Sequence, residues 1–443
     1  MSELPRKAVA RTARLAALPL GYAGRSALGL GKRLGGKPAE AVMTELQART
    51  AEQVFKTLGE LKGGAMKFGQ AMSIFEAALP DEVSAPYREQ LTKLQDSAPP
   101  MPTITVRQIL ADELGADAGR LTDLDAVPAA SASIGQVHRA RWDGQDVAVK
   151  IQYPGAGDAL RSDLRQLSRL ARTIGMAFPG IDVKPLIVEL QERAEEELDY
   201  RLEAEAQNAF AEAYADDPDF VVPRVLAWTE RVLVTSWLES PASLAQVIRD
   251  GTPAERDHYG ELFVRFLFSA PSRTGMLHAD PHPGNFRLLP APDGSPGKLG
   301  VLDYGAVARL PEHEMPSTLG PLLALAVADD YPALVEALRA EGFIRERITL
   351  DPDKLRDYLS PLVEPGQREE FTFSRAWIQE QFVRLNDPKS DSYAVMLRLN
   401  LPPAYLLIHR TWVGAGGVLS QLEATVPLRG ILADTLPGFT PVD

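Results

Sequence analysis

His278-Ala279-Asp280-Pro281-His282-Pro283-Gly284-Asn285, followed by Leu302-Asp303-Tyr304-Gly305, is the most informative part of the chain. The octapeptide has an Asp-x-x-x-x-Asn spacing. In a phosphoryl-transfer loop such an aspartate orients or deprotonates a hydroxyl and such an asparagine coordinates Mg²⁺. The tetrapeptide stands in for Asp-Phe-Gly, whose aspartate holds a metal bridging the phosphates. Asp-Tyr-Gly alone is noise. Standing 23 residues after Asp280, across an expected hairpin, it carries weight. His278-x-Asp280-x-His282 also has the form of metal ligands in a hydrolase. No further His/Asp cluster completes such a site, so both histidines are expected to hold the loop by hydrogen bonds.

Working outward, Gln136–Trp142 and Asp146–Ile151 read as strands about an Asp143-Gly144 turn, the second ending its Val147-Ala148-Val149 run in Lys150. A lysine at the end of a buried strand aims an ammonium at phosphates in a cleft. It needs an acid, and Glu195, Glu196, Glu197 and Asp199 sit on an expected helix between the strand pairs; periodicity does not choose among them. Two further strands are expected at Arg224–Trp228 and Val232–Trp237, and a small hairpin from Phe286–Leu289 and Leu299–Leu302. Helical spacing marks 38–95, a Pro-rich breaker ends that stretch at 98–102, and a short helix is expected near 105–114. From 258 onward the chain reads as helical apart from a loop-rich island at 275–305. The order of elements gives an α+β protein with two lobes.

Composition narrows the chemistry. A chain of 443 residues predicts two to four structural units, and its 45% hydrophobic and 24% charged content suits a globular protein. The absence of cysteine excludes disulfides, thiolate zinc sites, iron–sulfur clusters and cysteine nucleophiles. A formal charge of −13 argues against a general nucleic-acid binder. Residues 1–37 nevertheless carry eight Lys/Arg and one acid, leaving −20 for the remainder. This basic leader reads as a solvated tail, an anchor on anionic lipid, or a targeting peptide. Pro19 and Gly21 disfavour a secretory signal. No transmembrane helix is expected: Leu319–Ala328 is too short, and His409-Arg410 interrupts Tyr405–Leu419. The expected location is cytoplasmic, with any membrane contact peripheral.

Three more motifs complete a pattern. They are Lys67-Phe68-Gly69-Gln70, the run Ala129-Ala130-Ser131-Ala132-Ser133-Ile134-Gly135-Gln136-Val137-His138, and Glu197-Leu198-Asp199. With those above, in this order, the chain resembles the AarF/UbiB family of atypical protein-kinase-like proteins from about residue 43 to 310. The resemblance implies a two-lobed protein-kinase-like fold with an N-terminal helical extension packed over the active-site cleft. Its parts would be a leader (1–37), the extension (38–98), an N-lobe (99–237) and a helical C-lobe (238–443), with a hinge near Leu238-Glu239-Ser240. It also implies nucleotide contacts from Ala130, Ser131, Ala132, Ser133, Lys150 and Glu239. Glu197 would pair with Lys150, Asp280 would act on the acceptor, and Asn285 and Asp303 would hold the metal. Lys67, Gln70, Asp199 and Glu203 would belong to the cleft-covering contact that blocks protein substrates.

The implied cofactors are ATP or ADP with Mg²⁺. The implied role is a kinase or ATPase serving isoprenoid-quinone or membrane-lipid metabolism, with an anionic membrane surface or a quinone-pathway lipid or protein as partner. This chain departs from the family pattern in Ser131, set between alanines where three alanines are usual, in Tyr304 for Phe, and in lacking the transmembrane segment of several relatives. Two other readings stand beside it. A small-molecule phosphotransferase of the aminoglycoside/choline-kinase type shares the Asp280–Asn285 loop, and a nucleotide-binding pseudokinase scaffold would keep every one of these residues.

Overall fold

The computed structural model describes residues 100–132, 134–158, 160–161, 195–196, 198–310, 315–387 and 389–440. The expected helical extension, with Lys67 and Gln70, and the basic leader lie outside the described residues, as do Ser133 and Glu197.

The first lobe is built on helix α1 (Thr103–Leu114) and a twisted sheet. The α1 residues Val106, Ile109, Leu110 and Leu114 recur at helical spacing and are buried. The sheet strands are β1 (Leu121–Thr122), β2 (Ala130–Ala132), β3 (Gly135–Trp142) and β4 (Gln145–Gln152). Beyond β5 (Phe220–Val221), which pairs elsewhere, come β6 (Val225–Trp228) and β7 (Val232–Ser236). The order is β1-β3-β4-β7-β6, with β2 folded onto β3. Asp143 and Gly144 link β3 to β4 with φ of 49° and 82°, the two positive values a two-residue hairpin turn demands. Alternation along the strands sends Ala140, Trp142, Val147, Val149 and Ile151 into a core shared with α1, Val232 and Val234. The same alternation turns Lys150 to the opposite face. The strand at Ala130–Ala132 was not legible in the sequence; it exists because Ala130 and Ala132 find ladder partners in Val137 and Gly135.

Helix α2 (Tyr200–Ala213) crosses that opposite face, its first turn capped by the Asp199 carboxylate accepting from Arg201 N at 3.0 Å. Short strand β8 (Ala242–Ser243) and helix α3 (Leu244–Asp250) lead into α4 (Pro253–Thr274), the spine of the second lobe. α4 opens with a Thr252/Glu255 capping box and Pro253, and stops at Gly275, φ 68°. Strands β9 (Met276–His278), β10 (Phe286–Leu289), β11 (Lys298–Val301) and β12 (Val307–Arg309) carry the island the sequence marked as loop-rich. β10 and β11 form the expected hairpin, while β12 pairs antiparallel with β9. β5 pairs in parallel with β11, so a two-residue segment just ahead of β6 belongs to the second lobe's sheet.

Phe210 and Tyr214 of α2, Phe220, and Phe263 and Phe266 of α4 share one large core with Phe286 and Tyr304. Helices between 319 and 435 complete this lobe and hold a separate cluster around Leu322, Tyr331, Leu334, Leu355 and Val395. The described residues thus form the mixed, two-lobed, protein-kinase-like fold the motifs implied.

Candidate active site

Lys150 comes from β4, opposite Val137 on β3 and Leu233 on β7. Its Nζ donates to both Glu203 oxygens, at 2.7 and 2.9 Å, and lies 3.4 Å from Asp303 Oδ1. It also stands 5.1 Å from the centre of the Tyr200 ring. Burial alone would lower the Lys150 pKa, but the Asp303 and Glu203 carboxylates outweigh it and hold the ammonium well above its ordinary range.

Among the described residues the carboxylate on Lys150 is Glu203; Glu197, the partner the family resemblance assigned, lies outside them. Helical geometry brings Glu203 there. Asp199 ends the preceding loop as the cap, and Tyr200, Glu203, Ala204 and Gln207 form the buried face of α2 beneath the sheet. Glu203 itself is only 5% exposed, so its charge is compensated at the spot where it is desolvated. An N-cap aspartate followed by this periodicity was the available signal. Asp199 is held by its cap and by Arg201 Nη2 at 2.9 Å.

The Asp280–Asn285 loop follows β9. Pro283–Asn285 is a short 3₁₀ turn capped by His282, whose Nδ1 accepts from Gly284 N at 3.2 Å. Asn285 Nδ2 donates to Asp280 Oδ2 at 3.1 Å, which turns the amide oxygen away from that carboxylate. The loop is laced to the Asp303 segment by Leu302 N donating to Asn285 O and Ala279 N donating to Ala306 O. His278 is fully buried, and burial lowers its pKa and keeps it neutral. Its Nε2 donates to the Asp303 carbonyl at 3.0 Å, and its ring packs on Tyr304 and Phe286. Burial likewise lowers His282. Both histidines thus hold the loop, and among the described residues no group of three or more His/Cys/Asp/Glu is placed to bind a metal.

Asp303 has φ of 60°, a left-handed conformation that a non-glycine residue keeps only where its surroundings enforce it. Gly305 N donates to Asp303 Oδ1 at 3.2 Å. A Cβ at 305 would stand 3.3 Å from both Asp303 Oδ1 and Glu203 Oε2, so glycine keeps the two carboxylates close to the backbone. Tyr304 replaces Phe at no loss of hydrogen bonding: its hydroxyl donates to Val301 O, and its ring lies 4.9 Å from Phe210. A cavity of about 310 Å³ opens beside α2, lined by Glu196, Leu202, Glu203, Tyr304, Gly305, Val307 and Arg309.

Ala130 and Ser131 are exposed and Ala132 half-buried on β2, over this region. A buried relay steadies them. Gln136 Oε1 accepts from Met101 N at 2.8 Å, its Nε2 donates to His138 Nε2 at 2.6 Å, and His138 Nδ1 donates to Asp125 O at 2.8 Å. The relay fixes the His138 tautomer and ties the strand beneath the alanine-rich segment to the point where the chain enters the lobe. The Glu239 side chain is turned outward, accepting from Trp237 Nε1 at 3.0 Å and pairing with Arg139 at 3.3 Å. Lys150, Glu203, Asp303 and Tyr200 thus meet at one point, with Asp280 and Asn285 on the loop laced to Asp303.

The ABC1 atypical kinase-like domain matches residues 93–338. Protein ACTIVITY OF BC1 COMPLEX KINASE 3, chloroplastic, of Arabidopsis thaliana is 29% identical over 84% of this chain and 50% of its own length. The atypical kinase COQ8B, mitochondrial, of Rattus norvegicus is 34% identical over 59% of this chain and 48% of its own. The chain spans about half the length of these curated relatives. Among solved structures, Rv3197 of Mycobacterium tuberculosis, determined in complex with erythromycin, is 43% identical with a TM-score of 0.68, covering 91% of this chain and 99% of that one. With the family model matching more than half the chain, the chain belongs to the ABC1 atypical kinase-like family, the AarF/UbiB proteins its sequence resembles.

Proposed function

We propose that this protein is an ATP- and Mg²⁺-dependent atypical kinase or ATPase that serves isoprenoid-quinone or membrane-lipid metabolism. The observation that carries the reading is the convergence of Lys150, Glu203 and Asp303 from a strand, a helix and a loop, beside the Asp280–Asn285 loop. Glu203 fixes Lys150 so that its ammonium meets the α- and β-phosphates without paying to reorganise. Asp303 and the Asn285 amide oxygen are hard oxygen donors, the set Mg²⁺ prefers. When bound, the metal would neutralise charge on the phosphates. Asp280, held by Asn285, orients the attacking hydroxyl or water and takes its proton. Ser131 and its neighbouring alanines cover the phosphates, with a hydroxyl where the family usually has a methyl.

ATP hydrolysis by the purified protein, with and without anionic liposomes, tests this. Wild type should turn over ATP, and Asp280→Asn should lose at least about 100-fold. Nucleotide binding without turnover in either protein would replace the enzyme with a scaffold. Turnover unchanged in Asp280→Asn would remove Asp280 from its role.

A further inference from the structure

Arg287 of β10 is half-buried, and no carboxylate pairs with it among the described residues. Its Nη2 donates to Ser240 O at 3.1 Å. Arg139, also near residues 238–240, pairs with Asp146 and Glu239 instead. Burial lowers the Arg287 pKa and no acid raises it. A partly desolvated guanidinium without an acid costs free energy, so its place needs a reason beyond packing.

Strand alternation supplies the reason. Phe286 and Leu288 enter the core of the second lobe, so Arg287 lies on the other face of the sheet, two residues beyond Asn285. Its β11 partner is Gly300, where a Cβ would stand 2.3 Å from Leu238 Cδ2 and 3.4 Å from Arg287 Cβ. Leu238 belongs to the segment 237–241, which joins β7 of the first lobe to β8 of the second, and β8 pairs with Arg287 through Ser243. The first lobe makes the same step. Ala148 shares the Lys150 face of β4 and pairs with Thr235, close to where β7 enters the joining segment. Two residues span about 7 Å of strand. With phosphates and metal at Lys150 and Asn285, Ala148 and Arg287 stand one step nearer the joining segment, one from each lobe, where the rest of a nucleotide has room to lie.

We propose that Arg287 is a nucleobase-binding residue whose guanidinium plane, anchored on Ser240 O, stacks beneath the base of the nucleotide whose phosphates meet Lys150. The inference rests on the nucleotide reading above and deepens it by naming what recognises the base. A guanidinium is planar, weakly hydrated and stacks on aromatic faces; a lysine ammonium carries the same charge without the plane. Titration of the full-length protein with Mg-ADP and with Mg-pyrophosphate, which has no base, separates the outcomes for wild type, Arg287→Ala and Arg287→Lys. Arg287→Ala should bind Mg-ADP about tenfold more weakly and Mg-pyrophosphate equally well. Arg287→Lys decides, since it keeps the charge and a donor for Ser240 O. It should bind Mg-ADP at least about threefold more weakly, with Mg-pyrophosphate again unchanged. Wild-type Mg-ADP affinity in Arg287→Lys overturns the proposal, because charge alone would then suffice. An equal loss of both ligands in Arg287→Lys also overturns it, because the cation would then serve the phosphates. Either result leaves the nucleotide reading standing. A wild type that binds neither ligand overturns that reading as well.

Discussion

Lys150 illustrates how one residue binds stability to chemistry. The ammonium is desolvated, which costs free energy, and two carboxylates offset the cost. Because its folded pKa is raised, its contribution is complete below the ordinary lysine value, about 10.4, and is lost only as pH rises through the higher folded value. The wild-type pair therefore adds no pH dependence near neutrality. Lys150→Met removes the cation that Glu203 and Asp303 share. The variant should lose about 3 kcal/mol of stability at neutral pH. Denaturant midpoints of the two proteins check this, and equal midpoints would show that the buried pair carries no stability. This site also shows what sequence leaves open. Lys150, Asp280, Asn285 and Asp303 are legible because chemistry fixes both their type and their spacing. The acid is not, since any of five carboxylates between 195 and 203 satisfies charge alone. The choice is made by the phase of α2, which Asp199 sets as its cap.

At the scale of elements, the strands with long alternating runs were legible and the two-residue strands were not. β3 and β4 declare themselves through Val147, Val149 and Ile151 and the Asp143-Gly144 turn, whereas Phe220–Val221 and Leu121–Thr122 exist only because a partner edge lies beside them. The attachment of α1 to the sheet is a similar tertiary feature. Glu113, near its last turn, accepts from Thr229 Oγ1 at 2.6 Å and Arg231 Nε at 2.8 Å, stapling the helix to the β6–β7 turn. Thr229 Oγ1 in turn accepts from Val232 N. Burial alone would raise the Glu113 pKa, but these bonds more than offset it and hold the carboxyl below its usual value. Glu113→Gln should lower stability by about 1–2 kcal/mol at neutral pH. For a lowered carboxylate the contribution is present above the unfolded pKa. The gap between wild type and variant should therefore narrow below about pH 4.3 and vanish beneath the lower folded value. Parallel melting curves down through that range would contradict it.

At the scale of the whole molecule, charge is the quantity that neither the fold nor the site explains. The net −13 is a balance between +7 in residues 1–37 and −20 in the rest. No described helix is long and apolar enough to cross a membrane. A body of net −20 is repelled by an anionic bilayer, and the leader is where basic residues concentrate. Each Lys or Arg near such a surface contributes about 1 kcal/mol, decaying within a Debye length of about 8 Å at physiological salt. Eight such residues in the leader would supply the attraction that a peripheral role at a lipid surface requires. Full-length protein should therefore cosediment with vesicles containing phosphatidylserine and stay in solution with neutral ones. Raising the salt to about 0.5 M should release it, because screening shortens the reach of the field. A chain starting at residue 38 should fail to sediment at any salt while binding nucleotide as before. If that shortened chain sediments like the full-length one, attraction lies elsewhere in the body and the leader is a solvated tail. If neither sediments, the lipid-surface role loses its electrostatic basis, while the proposed nucleotide site around Lys150 is untouched.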